Sequence, residues 1–137
     1  MYQFEEIQED FAFLDHWEDR LRYIVELGRE LPPMPEEDKI DENRMYGCQS
    51  RVWIKCTRSA STPPVLHFSG ASDAQIVQGL ITLIFSMVND QTAAYIIDYD
   101  VRARFDELDL IRYLTPSRAN GLNQLVETIQ QTASEQL

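Results

Sequence analysis

The sequence predicts an α+β fold in which a small antiparallel sheet of about three strands packs with several helices. Helical periodicity marks both ends of the chain. The middle switches to strict alternation, the period of a strand with one face on a core. The elements follow one another as α-α-β-β(β)-α-α-α with no linker, repeat or low-complexity run, which suits helices segregated on one antiparallel sheet. The 137 residues are expected to form a single domain over 1–137, long enough to bury a core without disulfides or metals.

Phe4, Ile7, Phe11 and Leu14 recur at spacings of three and four and give the first helix its apolar stripe. Asp15 can cap a second helix, with Trp17, Leu21, Ile24, Val25 and Leu27 inward and Glu18, Asp19, Arg22 and Glu26 outward. Pro32-Pro33-Met34-Pro35 stops it, because proline neither donates nor fits inside a helix. An acidic connection, Glu36–Asn43, leads to a candidate strand at Asn43–Tyr46.

Ser50–Arg58 is the clearest strand, with Val52, Ile54 and Cys56 on one side and Arg51, Trp53 and Lys55 on the other. Ser59–Pro64 reads as a loop, and Val65–Ser69 as the hairpin partner, ended by Gly70. Ser72 and Gln75 fit a capping box that opens an apolar helix running to about Val88. Thr92–Ile97 and Ala103–Leu108 read as short helices joined at Tyr99-Asp100. Thr115 as N-cap and Pro116 at the first helical position start the last helix, with Leu122, Leu125, Val126 and Ile129 as its buried stripe.

Twelve bases against 23 acids give a net charge of −11, which repels phosphate backbones and anionic membranes. No nucleic-acid or membrane partner is expected. The acidity is uneven: residues 1–42 carry 14 acids and 4 bases, and residues 43–137 carry 9 and 8. The acidic third reads as a solvated helical face rather than a docking surface for a basic partner. The first residues are acidic where a leader would be basic, and the apolar stretch Ile76–Val88 is too short to span a bilayer. A cytoplasmic protein with reduced thiols is expected.

Much familiar chemistry lacks its residues. There is no Gly-rich phosphate loop, and His16 and His67 match no zinc spacing, so no metal site is expected. Cys48 and Cys56 are eight apart, which is no C-x-x-C pair, and neither Lys39 nor Lys55 suits a Schiff base. Cys48 is the informative residue, preceded by Gly47, which lets another molecule approach, and followed by Gln49 and Ser50, which offer hydrogen bonds. Cys56 falls on the apolar strand face as a small core residue. Asp73 reads as an acid favoured in the first turn of a helix. Arg118, a cation in the first turn of the last helix, hints at a carboxylate partner within the protein or on another chain.

Gly47-Cys48-Gln49-Ser50-Arg51-Val52-Trp53-Ile54 resembles the G-C-Q-S-x-V-W signature of the SufE family of sulfur acceptors. Trp17–Gly28 is similar to that family's first long helix and Leu31-Pro32 to its Leu-Pro turn; Ser69–Ala74 with Ile76–Leu80 resembles its sheet-to-helix junction, and Leu114–Leu122 its T-P-S-R-x-x-G-L helix start. The resemblance implies a SufE/NifU-like fold and no cofactor of the protein's own. It implies a sulfur relay that is not an enzyme alone: Cys48 accepts persulfide sulfur from a pyridoxal-phosphate cysteine desulfurase (SufS-like or CsdA-like), stimulates it, and hands sulfur to a downstream iron–sulfur scaffold complex. The alternative is an allosteric activator with no covalent relay. Asp73 matches a position linked in the family to acceptor-loop mobility, and Arg118 one linked to desulfurase docking. Gly47, Gln49, Ser50 and Arg51 complete the implied partner-binding or loop-regulating set. The oligomeric state stays open, a homodimer among the options.

Overall fold

The computed structural model describes residues 3–46 and 50–137. Among them the helices are α1 (Phe4–Ala12), α2 (Trp17–Leu27), α3 (Gln75–Val88), α4 (Ala93–Asp98), α5 (Val101–Glu107) and α6 (Pro116–Glu135). The strands are β1 (Arg44–Met45), β2 (Val52–Arg58), β3 (Val65–Ser72) and β4 (Gln91–Thr92), in one antiparallel sheet of order β1-β2-β3-β4. This is the expected α+β architecture with one more strand. Four 3-10 turns (Gly28–Glu30, Glu36–Asp38, Asp41–Asn43 and Ile111–Tyr113) fill the connections.

The helix α3 lies at the centre, and Ile81, Leu83, Ile84 and Val88 on it are fully buried. It packs on β3, α2, α1 and α6. Each such side chain contributes about 1.5–3 kcal/mol by leaving water. Phe4, Ile7 and Phe11 bury the stripe of α1, and Leu122, Leu125, Val126 and Ile129 that of α6, as their spacing predicts; Leu14, expected in the first stripe, lies beyond the end of α1 and is only half-buried. Two glycines set how closely α3 fits. A Cβ on Gly79 would collide with the Ile24 carbonyl oxygen, so α2 and α3 cross at backbone contact. A Cβ on Gly70 would lie 3.1 Å from side-chain atoms of Ile54, Ile81 and Phe85.

That second glycine corrects an expectation. Gly70 does not end β3; it pairs with Ile54 and the strand runs on to Ser72. The glycine is there because the helix leaves no room for a side chain, not because the chain turns. The capping box also fails. Ala74 is the N-cap of α3, while Ser72 Oγ accepts from the Ala74 N–H at 3.2 Å and Gln78 Oε1 accepts from the Ser72 N–H at 3.1 Å. Ser72 is still a strand residue, paired with Val52, so the sheet ladder overrides the local capping signal.

At the other end of α3 the Asn89 carboxamide clamps Phe68, accepting from its N–H at 2.6 Å and donating to its carbonyl at 3.0 Å. Asp90 then turns the chain with φ 63° into β4, which pairs Val65 with Thr92. Thr92 caps α4 rather than starting it, and Asp100 caps α5, which begins at Val101. The cap of α2 is His16, not Asp15, without a side-chain hydrogen bond. That helix has already tightened into 3-10 geometry at Gly28, before the prolines. Leu21, expected inside, is 36% exposed. No helix among the described residues is long and apolar enough to cross a membrane.

Candidate functional site

The segment Gly47-Cys48-Gln49 lies outside the described residues. The chain on either side of it forms two stems. One is β1, whose Met45 is buried and faces Val52; Tyr46 beyond it is 65% exposed. The other is Ser50 and Arg51, leading into β2.

Asp73 fastens this second stem. Its Oδ1 accepts from the Arg51 backbone N–H at 3.0 Å and its Oδ2 from Arg51 Nε at 3.2 Å. Its own N–H donates to the Arg51 carbonyl at 3.3 Å. The Arg51 hydrogen bonds hold the Asp73 carboxyl below the usual carboxylate range. Asp73 is therefore not in the first turn of α3, as its sequence context suggests. It stands before the helix, at the β3–α3 junction, and ties that junction to the residue three places after Cys48.

Between the stems and the helices is a cavity of about 250 Å³. Met45 and Val52 come from the sheet, Val77 and Leu80 from α3, and Leu122 and Leu125 from α6; these form apolar walls. Ser50, Thr115, Ser117 and Arg118 supply its polar edge. Thr115 caps α6 as expected, accepting from the Arg118 N–H at 3.2 Å. The Arg118 side chain is exposed, and no carboxylate of the described residues lies within ion-pair distance of it. The internal carboxylate its position suggested is thus not found among them, and the residue lines the cavity. A helix N-terminus and a cation favour a negative group there, while the apolar walls disfavour one.

Sequence reasoning missed the cluster of cations on the outer face of the sheet, across from the cavity. Trp53, on the outer side of β2, has the cationic groups of Arg44, Arg51 and Lys39 at 5.5, 5.7 and 5.9 Å from its ring centre. A legible signal existed: residues 43–72 hold four bases and no acid. Cys56 is half-buried on the inner side of β2, and burial raises its thiol pKa, with Arg58 opposing weakly. His67 is a surface residue whose Nδ1 lies 2.8 Å from Asp90 Oδ1.

A small α+β protein whose short cysteine-bearing segment joins two strands, with both stems on a cavity shared with the last helix, is the class these features define. The chain belongs to the SufE family, described as an Fe-S metabolism associated domain, which matches residues 5–133. It is 40% identical to a SufE-like protein of Rhizobium meliloti, over 100% of this chain and 99% of that one. It is 38% identical to a SufE-like protein of Rhizobium etli, over 97% and 90%. Its fold is shared with a solution structure of a hypothetical protein from Thermus thermophilus, with TM-score 0.76, 16% identity, and 97% and 94% of the two chains covered. Family membership makes the chain an accessory protein of iron–sulfur metabolism and sulfur transfer, associated with the iron–sulfur assembly machinery.

Proposed function

We propose that Cys48 accepts sulfane sulfur from a pyridoxal-phosphate cysteine desulfurase, thereby speeding it, and passes the sulfur to an iron–sulfur scaffold. The Cys48 thiolate attacks the terminal sulfur of the donor's Cys-S-SH. A new S–S bond forms on Cys48, the donor's S–S bond breaks, and its cysteine leaves as thiolate. The proton stays with the transferred sulfur or is lost to solvent, and no outside oxidant or reductant is needed.

The cavity is the observation that carries this reading. Met45 and Ser50, which flank the Cys48 segment in the chain, both line the cavity, and its apolar walls suit the shielding of a persulfide from water and oxidants. Arg118 and the start of α6 offset the cost of the sulfur anion at the mouth. The Asp73–Arg51 clasp holds the stem that follows the acceptor segment.

The decisive experiment is intact-mass analysis after incubation with a cysteine desulfurase and cysteine. The expected result is a gain of about 32 Da, one sulfur atom, confined to the Cys48 peptide. Cys48→Ser should take up none and lose the stimulation of desulfurase turnover. Full stimulation by Cys48→Ser would overturn the relay and leave an allosteric activator.

A further inference from the structure

Trp53 gathers an unusual set of charges for a protein of net charge −11. Three cations surround its ring, and Arg44 also stacks on Tyr46 at 5.1 Å. Two of the three are neutralised where they stand: Lys39 by Glu36 at 2.9 Å and Arg51 by Asp73 at 3.2 Å. Lys55, on the same side of β2, is neutralised by Asp38 at 3.0 Å. Arg44 is different. No carboxylate of the described residues reaches it, Asp41 and Glu42 included, and its buried Nε–H finds no acceptor.

A half-buried cation with an unmet donor costs stability. Contacts with aromatic faces offset only part of this. Folding alone does not account for Arg44. Its position supplies the reason. It lies in β1, one stem of the loop, and its ring platforms Tyr46 and Trp53 flank the loop on both sides in sequence. It stands within the stretch 43–72 that carries four bases and no acid, while the preceding 42 residues carry −10. Its neighbours Lys39, Arg51 and Lys55 are each paired with an acid, so Arg44 is the cation of this face whose charge is left open to an incoming carboxylate.

We propose that Arg44, held on Tyr46 and Trp53, is the electrostatic anchor for an acidic rim on the sulfur donor, beside the donor's own cysteine. The donor's carboxylate pairs with the unpaired guanidinium and brings the loop into register with the persulfide. This rests on the sulfur-acceptor reading and names the surface chemistry of its partner. A nucleic acid is the wrong occupant, because the whole-molecule charge repels it at long range. A protein surface of matched size reads the local patch instead.

The test compares wild type, Arg44→Gln, Arg44→Glu and Arg44→Lys for binding to a cysteine desulfurase and for sulfur uptake. Arg102→Glu is the charge-matched control, since Arg102 pairs with Glu127 of α6. The expected losses of affinity are about fivefold for Arg44→Gln and at least about 20-fold for Arg44→Glu, with Arg44→Lys retaining most binding. The Arg44→Glu deficit should shrink as salt rises from about 50 mM to about 500 mM. Uptake from free cysteine persulfide, which needs the loop but no docking, should match wild type in every variant; this also checks that they fold. The anchor is refuted if Arg44→Glu binds the desulfurase within about twofold of wild type at low salt, or no worse than Arg102→Glu. Failure of the underlying reading looks different: wild type itself then takes no sulfur from the desulfurase.

Discussion

Around Gly79 the chain is packed until backbones touch; around the stems of residues 47–49 it leaves a cavity and two arginines that no acid of the described residues pairs. The first region spans α2, α3 and the middle of the sheet. There Gly79 meets the Ile24 carbonyl, Gly70 meets Ile54 and Phe85, and the Phe68 and Phe85 rings sit 6.2 Å apart. The second region is the rim formed by β1, the start of β2 and the start of α6. There Arg44 and Arg118 have no acid partner among the described residues, and the wall between Met45 and Leu125 encloses space. Natural cores fill such space, and natural folds pair such charges. Where both are left undone beside the stems of the cysteine segment, the departure is what the proposed function would require, and the tight frame supplies the stability that tolerates it.

The frame should be the least forgiving part. Gly79→Ala puts a methyl where the Ile24 carbonyl already is, and no rotamer can relieve a backbone clash. The expected loss is at least about 3 kcal/mol, above the usual range of overpacking, read by denaturant or thermal unfolding. A change below about 1 kcal/mol would mean α2 and α3 can separate cheaply, and the contrast between frame and rim would lose its basis.

A smaller effect is expected at the clasp that joins the two regions. The Arg51 hydrogen bonds lower the Asp73 pKa from its ordinary 3.8. The folded value is below the unfolded one, so the clasp contributes in full above about 3.8 and is lost as pH falls through the lower folded value. A carboxyl titration by NMR should place the Asp73 midpoint below 3.8, and Asp73→Asn should speed exchange of the Arg51 amide by about tenfold at neutral pH. An Asp73 midpoint at or above 3.8 would show that the clasp is not formed in solution.

The sequence made the frame legible where local rules and tertiary demands agree. The stripes of α1 and α6, the alternation of β2 and the Thr115-Pro116 cap all stand as predicted. It misled where the two conflict. Gly70 has the composition of a stop, yet it continues a strand because α3 presses on it. Ser72 has the spacing of a cap, yet its backbone is spoken for by Val52. The strand β4 is two residues long and exists only because Val65 and Leu66 offer an edge to pair with. The proposed site was legible only as a list of candidates, Cys48, Asp73 and Arg118, and not as a place. Its cavity needs four elements to converge, and the Asp73–Arg51 pair is 22 residues apart in the chain.

The two cysteines carry the same contrast into chemistry. Cys56 belongs to the frame: it is half-buried on the inner face of β2, and desolvation raises its pKa above the ordinary 9.0 against the weaker pull of Arg58. It is therefore protonated, and a poor nucleophile, at neutral pH. Cys48 lies outside the described residues, in the chain between the two rim stems. With excess iodoacetamide at pH near 7.5, Cys56 should alkylate at least about tenfold more slowly than a free peptide thiol, and its rate should climb with pH beyond that thiol's own titration. Addition of a cysteine desulfurase should change the rate at Cys48 and leave Cys56 untouched. Were Cys56 to react as fast as a peptide thiol in wild type and in Cys48→Ser alike, the inner face of β2 would be open to solvent, and an added sulfur would have to be assigned between two sites rather than one.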